Sequence, residues 1–121
     1  MQPIDLSALN PGIRRTVQGL RHHGFKTVDS GDGVTHEHAC DRAYAYVSIR
    51  CEPEELVDEA HRLCGMLRLA GVDVVTIGKA FAEGELPVGV CIQASYDPSD
   101  GFALIDLAGL SDATLPPAWA R

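Results

Sequence analysis

The stretch "YAYVSIRCEPEELVDEAHRLCGMLRLAGVDVVTIG", residues 44–78, decides the fold because it holds two strand patterns with a helix pattern between them. Over 44–51, apolar and polar residues alternate, which is the period of a strand with one buried face. Pro53 then opens a helix, acidic residues fill its first turn, and Gly71 closes it. The apolar run at 72–78 predicts a strand that returns beside the one at 44–51, through a right-handed crossover if the two are parallel.

Apolar stripes on two helices indicate the surfaces that these helices bury. In the helix just described, the stripe consists of Leu56, Ala60, Leu63 and Leu67. Upstream, residues 10–24 predict a first helix, with Asn10 as its N-cap, Pro11 at its first position and Gly24 at its end. The stripe of this first helix consists of Ile13, Val17 and Leu20.

Turn residues separate the remaining strand patterns. Residues 25–29 predict a strand that ends at the turn "SGDG", residues 30–33. Further on, "VGVCIQASY" at 88–96 and "FALIDL" at 102–107 predict a hairpin whose turn is "DPSDG". The glycine- and charge-rich residues 78–87 predict a mobile loop.

These elements predict one α+β domain over 1–121, with a short lead-in at 1–9 and a flexible tail at 112–121. Two helices with one apolar side each need a surface to cover. We therefore expect a two-layer sandwich, in which a mixed, mostly antiparallel sheet carries both helices on one face. The opposite face would carry Tyr44 and Tyr46, which are typical interface residues, and would be solvated, covered by a second subunit or used for binding. We expect a homodimer.

Composition narrows the classes of function. Hydrophobic residues make up 45% of the chain and charged residues 22%, as in ordinary globular domains. The net charge of −7 argues against direct nucleic-acid binding, because phosphate contacts need a basic face. The sequence has no secretion signal and no apolar run of membrane-spanning length, so we expect a cytoplasmic protein with reduced thiols and no membrane contact.

The stretch "TVDSGDGVTHEH", residues 27–38, holds the residue types that bind metals, phosphates and hydroxyls. The predicted ligand-binding residues here are Asp29, Ser30, Asp32, Thr35 and His36. In an extended segment His36 and His38 point to the same side, and Asp32 or Asp41 would complete a three-ligand site for a divalent metal. The same pattern also fits an anion-binding nest, or a tight turn in which the glycines serve geometry alone.

A second candidate region is "QASYDPSDG", residues 93–101. Its predicted ligand-binding residues are Gln93, Ser95, Tyr96 and Asp97. The aspartates of this segment also fit a hairpin turn, which needs no ligand. A third candidate, the pair His61 and Cys64 on one helix face, fits a nucleophile with its base, but the leucine stripe beside Cys64 favours a buried, inert thiol.

Three motifs together resemble a group of short uncharacterised proteins encoded in bacteriophage genomes. They are N-P-G-I-R at 10–14, T-V-D-S-G-D-G-V-T at 27–35 and I-Q-A-S-Y-D-P at 92–98. The resemblance implies an accessory factor that acts in the host cytoplasm, for example an inhibitor of a host defence system. Such factors bind a host protein or sequester a nucleotide-type ligand. The resemblance transfers no catalytic residue and no cofactor.

The leading hypothesis is therefore a non-catalytic phage accessory protein that binds a host protein or a small nucleotide-like ligand. The alternative is a metal-dependent hydrolase of a small phosphorylated or nucleotide substrate, with His36, His38 and Asp32 as ligands of the metal that activates a water. A third possibility is an acidic mimic of nucleic acid, although the carboxylates are spread widely along the sequence.

Overall fold

The structure is a computed structural model that describes residues 5–35, 44–78, 86–97, 99 and 101–114. The α-helices among these residues are α1, Arg14–His22, and α2, Leu56–Leu69. A short 3-10 turn precedes each of them, Pro11–Ile13 before α1 and Pro53–Glu55 before α2. The strands of the described part are β1 Lys26–Asp32, β2 Ala45–Cys51, β3 Val74–Ile77, β4 Val90–Asp97 and β5 Phe102–Ala108.

The five described strands form one mixed sheet in the order β1-β2-β5-β4-β3. β3 and β4 run parallel, whereas the other three neighbouring pairs are antiparallel. The predicted α+β class, the mostly antiparallel sheet and the β4–β5 hairpin are confirmed. The prediction that residues 72–78 return beside 44–51 is wrong. β5 pairs with β2 instead, so the β4–β5 hairpin separates β2 from β3.

One hydrophobic core joins the helices to the sheet. The predicted helix stripes are confirmed, since Leu56 is partly buried and the other six residues are buried. From the three central strands the core takes one alternate set of side chains, which consists of Val47, Ile49, Ile105, Leu107, Val90 and Ile92. That both helices lie on one face of the sheet stays a prediction, and the shared core supports it.

Both helices are followed by the glycine that the sequence predicts, whereas the predicted N-cap of the first helix does not form. Gly24 and Gly71 both have a φ of 89°, the left-handed conformation that glycine adopts without strain. Pro11 opens a 3-10 turn, and α1 begins only at Arg14. Asn10 makes no side-chain cap. Its Oδ1 instead accepts a hydrogen bond of 3.2 Å from the backbone N–H of Asp32, which ties the helix entrance to β1.

Asp112, which is far from α1 in the sequence, caps the N-terminus of this helix. Its carboxylate accepts hydrogen bonds from the N–H groups of Arg15 and Thr16, at 3.0 and 2.7 Å, and from the Thr16 hydroxyl at 2.8 Å. Its own N–H donates to the carbonyl of Gly12 at 2.9 Å. Asp112 is thus hydrogen-bonded to the domain, and the flexible tail at 112–121 stays a prediction. Residues 115–121 lie outside the described part of the chain.

Candidate functional site

The glycine-aspartate segment continues a strand and is not the turn that the sequence predicts. β1 runs on through Ser30 and Gly31 to Asp32, which pairs with Ala45 of β2. This is possible because Gly31 has no side chain: a Cβ there would lie 2.7 Å from the ring of Tyr46. The bend comes at Gly33, with a φ of 79°.

Asp32 is the centre of a hydrogen-bonded knot that joins β1, the segment after it and the entrance of α1. Its Oδ1 accepts from the N–H groups of Val34 and Thr35, at 3.0 and 2.7 Å. Its Oδ2 accepts from the hydroxyl of Thr35 at 2.8 Å and from the N–H of Gly12 at 3.2 Å. The side chain is only 8% exposed. Four donors therefore surround one carboxylate, which fixes the local backbone.

These contacts set the charge state of Asp32. Burial by itself raises the pKa of the carboxyl, but the hydrogen bonds from Thr35, Val34 and Gly12 outweigh burial and hold the pKa below its ordinary value. The ionised carboxylate is therefore stable, with both oxygens occupied by protein donors. The other residues of the predicted metal site, His36, His38 and Asp41, lie outside the described residues, so the metal site stays a prediction.

A row of polar side chains crosses the sheet face whose side chains are not in the core cluster. The strand registers place Asp29 opposite Ser48, Ser48 opposite Asp106, and Asp106 opposite Gln93. We call this set, Asp29, Ser48, Asp106 and Gln93, the polar row. With about 4.8 Å between neighbouring strands, the row extends over about 14 Å from β1 to β4.

Internal hydrogen bonds hold the polar row in place. Ser48 is only 5% exposed, and its hydroxyl donates to Oδ1 of Asp106. Tyr46, also 5% exposed, donates its hydroxyl to Oδ2 of Asp29 at 3.2 Å. A buried hydroxyl that is paired in this way costs little to bury and is fixed in direction. The two carboxylates are thereby held on one face of the sheet.

A second row of the same face carries two cations, Lys26 and Arg50, which the register places opposite each other. Arg50 is two residues beyond Ser48, and the register places it opposite Leu104, which pairs in turn with Ser95. The guanidinium carbon of Arg50 lies 4.2 Å from the centre of the Phe102 ring, as in a cation–π contact. The face is thus polar at its centre and bounded on one side by a stacked arginine.

The structure divides the predicted site residues between two places. Asp29, Gln93 and Ser95 share the face of the polar row, whereas Asp32 and Thr35 belong to the knot at the entrance of α1. Ser30 and Tyr96 belong to the opposite alternate set of their strands, and Tyr96 is 51% exposed. Asp97 pairs with Phe102, and its side chain is outside the described part, as is all of His36.

The predicted interface tyrosines differ in their surroundings. Tyr44 is half-buried just before β2, while Tyr46 is buried against Gly31. Their role in an interface stays a prediction.

The structure adds no support for a nucleophile and base at His61 and Cys64, because Cys64 is buried in the core while His61 is exposed. Sequence reasoning missed Ser48 and Asp106 as site residues, although each is a polar residue in an alternating strand.

Comparison with known proteins assigns no function to these residues. No known protein family matches the chain, and neither a curated protein nor a solved structure matches it. Among the described residues, no three His, Cys, Asp or Glu side chains gather into a metal-binding group. No helix in the described ranges is long and apolar enough to cross a membrane.

Proposed function

We propose that this protein is a non-catalytic accessory protein that binds a host protein through the face of the polar row. The observation that carries the proposal is the alignment of Asp29, Ser48, Asp106 and Gln93 across four strands. Hydrogen bonds from Tyr46 and Ser48 already orient the carboxylates of Asp29 and Asp106, so these carboxylates present acceptors to a partner at little cost in entropy. Rigid strands hold such a surface more precisely than loops do.

The charge of the polar row favours a basic protein over a nucleotide. Two carboxylates, Asp29 and Asp106, lie in the row, and the whole chain carries a net charge of −7. A phosphate group would meet repulsion there, whereas lysine or arginine side chains of a partner would be attracted and steered. Arg50 at the margin of the face would meet a carboxylate of the same partner.

The proposed setting, a phage accessory factor that modulates a host defence system, comes from the three motifs at 10–14, 27–35 and 92–98. A protein of 121 residues that acts by contact alone needs only one such face. The homodimer stays part of the proposal, since a second copy would double the number of faces and strengthen capture of a multivalent target.

Affinity capture from a lysate of the bacterial host tests this proposal with two matched variants. Gln93→Lys places a positive charge at the β4 end of the polar row, beside Asp106. Gln18→Lys makes the same change on the exposed side of α1. We expect both the unchanged protein and the Gln18→Lys variant to enrich the same host protein, and the Gln93→Lys variant to lose at least about tenfold of that enrichment.

Two outcomes contradict the proposal. One is a captured protein whose enrichment is equal with all three forms, which places the contact elsewhere. The other is the absence of any host protein enriched over a resin without bait. A circular dichroism spectrum and a melting temperature for each variant show that the comparison is made between folded proteins.

A further inference from the structure

A groove with charges of both signs opens at the end of the sheet where β1 begins and β2 ends. Its cavity volume is about 220 Å³. One side of it is formed by the strand ends and the other by α2 and the turn before it. The lining residues whose charges matter are Lys26, Arg50, Glu52, Glu55, Glu59 and Arg62.

The inner wall of this groove is fixed by contacts of Arg62. Its guanidinium forms an ion pair of 2.6 Å with Glu59 and donates to the carbonyl of His23 at 3.1 Å. The guanidinium carbon also lies 3.9 Å from the centre of the Phe25 ring, which is buried. Arg62 and Glu59 are therefore satisfied within the protein and serve as a rigid boundary.

The four other charged groups form no ion pair among the described residues, although Arg50 stacks on the Phe102 ring. Lys26 and Arg50 are directly opposite each other in the β1–β2 register, and like charges in this position destabilise a sheet. Within the described ranges, no carboxylate lies within 4.0 Å of either cation, and Glu52 and Glu55 form no ion pair. Two cations from the strands and two carboxylates from the segment before α2 thus line the same groove.

We propose that this groove binds a small zwitterion, with a carboxylate group toward Lys26 and Arg50 and an ammonium group toward Glu52 and Glu55. The ligand class is that of amino acids and similar compounds. A bound carboxylate would relieve the repulsion between the two opposed cations, and a bound ammonium would do the same for the two glutamates. This proposal does not depend on the function proposed above, because no residue of the polar row lines the groove; Lys26 and Arg50 lie at the border of the two sites.

Size and solvation set the expected affinity. The cavity is smaller than most drug-sized pockets, so it suits a ligand of a few heavy atoms. The charged groups are exposed, and exposed ion pairs contribute little each. We therefore expect a dissociation constant on the order of 1 mM for the best ligand. The Cys51 thiol in the same groove stays protonated, because burial and then the carboxylates of Glu59, Glu55 and Glu52 raise its pKa.

Titration followed by ¹H–¹⁵N NMR tests the proposal with probes of defined charge. The zwitterions glycine, β-alanine and 4-aminobutyrate span increasing charge separation. Butyrate and butylamine each keep one charge of 4-aminobutyrate and remove the other. We expect saturable shifts of the amides of Lys26, Arg50, Glu52 and Glu55 with at least one zwitterion, and binding weaker by at least about tenfold with either single-charge analogue.

Matched variants locate the effect. Glu55→Gln removes a groove carboxylate, whereas Glu54→Gln makes the same change on the neighbouring exposed residue, which does not line the groove. We expect Glu55→Gln to weaken zwitterion binding by at least about threefold and Glu54→Gln to leave it unchanged. No saturable shift with any zwitterion would overturn the proposal. Equal binding of butyrate, or equal loss in both variants, would overturn it as well.

Discussion

Replacement of Asp32 by asparagine tests the most densely hydrogen-bonded group that the structure describes. The change keeps the shape of the side chain and turns one acceptor oxygen into an NH2 donor. The new amide oxygen still accepts from the N–H groups of Val34 and Thr35 in place of Oδ1. The NH2 group then faces the N–H of Gly12, which loses its acceptor. The Thr35 hydroxyl can reverse and accept from the NH2 group.

The expected loss in the free energy of unfolding follows from the hydrogen bonds that each substitution removes. One buried N–H without an acceptor, together with the loss of charge-assisted bonds to the others, costs about 1–3 kcal/mol in the free energy of unfolding. Asp32→Ala removes the acceptors for all four donors, so we expect a larger loss, about 3–5 kcal/mol. Urea titrations monitored by circular dichroism, with a common m-value, measure both differences.

The pH dependence gives a second, independent check. The folded-state pKa of Asp32 lies below its ordinary value of 3.8, so the carboxylate stabilises the fold fully at pH values well above 3.8. This stabilisation is lost as the pH falls below 3.8 through the folded-state pKa. The gap in stability between the natural protein and Asp32→Asn should thus be constant near neutral pH and shrink in acid. A variant as stable as the natural protein at pH 7, or a gap that does not shrink in acid, refutes the reasoning.

Three further predictions follow from single contacts. Asp112→Ala removes the cap of α1 and should lower the free energy of unfolding by about 1–2 kcal/mol, measured by urea titration. Gly33→Ala should lower the free energy of unfolding by at least about 2 kcal/mol, because the φ of Gly33 is 79° and a Cβ would lie 2.6 Å from a backbone nitrogen. Gly65→Ala, in a helix with open space around the residue, should raise the free energy of unfolding by about 0.5–1 kcal/mol. A thermal melt that ranks these two alanine variants equally contradicts this. Glu55→Gln should lower the pKa of Cys51 and speed the alkylation of this thiol by iodoacetamide at pH 8 about twofold. Mass spectrometry of the Cys51 peptide measures the rate. An unchanged rate contradicts the claim that the Glu55 carboxylate helps to raise the pKa of Cys51.

Most of the fold could be predicted because periodicity reports burial directly. The alternation at 44–51 and the stripes of both helices predict the residues that form the core. The order of strands could not be predicted in the same way. Residues 72–78 have the pattern of a buried strand, but that pattern does not say which neighbour the strand pairs with. The β4–β5 hairpin, later in the chain, takes the place beside β2.

The candidate site was harder to predict because it depends on register. Asp29 joins the polar row only because β1 has a bulge between Thr27 and Asp29, which resets its pairing with β2. Ser48 and Asp106 are far apart in sequence, so nothing local connects them. The segment at 30–33 looked like a turn since its residues are turn formers, yet pairing with β2 overrides that preference as far as Asp32, and the bend comes only at Gly33.

The central claim, that the face of the polar row is the contact surface, is tested most directly by NMR mapping with the captured host protein. The purified host protein is added to ¹⁵N-labelled protein, and amide shifts are compared between the two faces of the sheet. The account predicts that the largest changes fall on Asp29, Ser48, Gln93 and Asp106 and weaken as salt is added. Changes confined to α1, α2 or the zwitterion groove, or changes that salt does not affect, would contradict it.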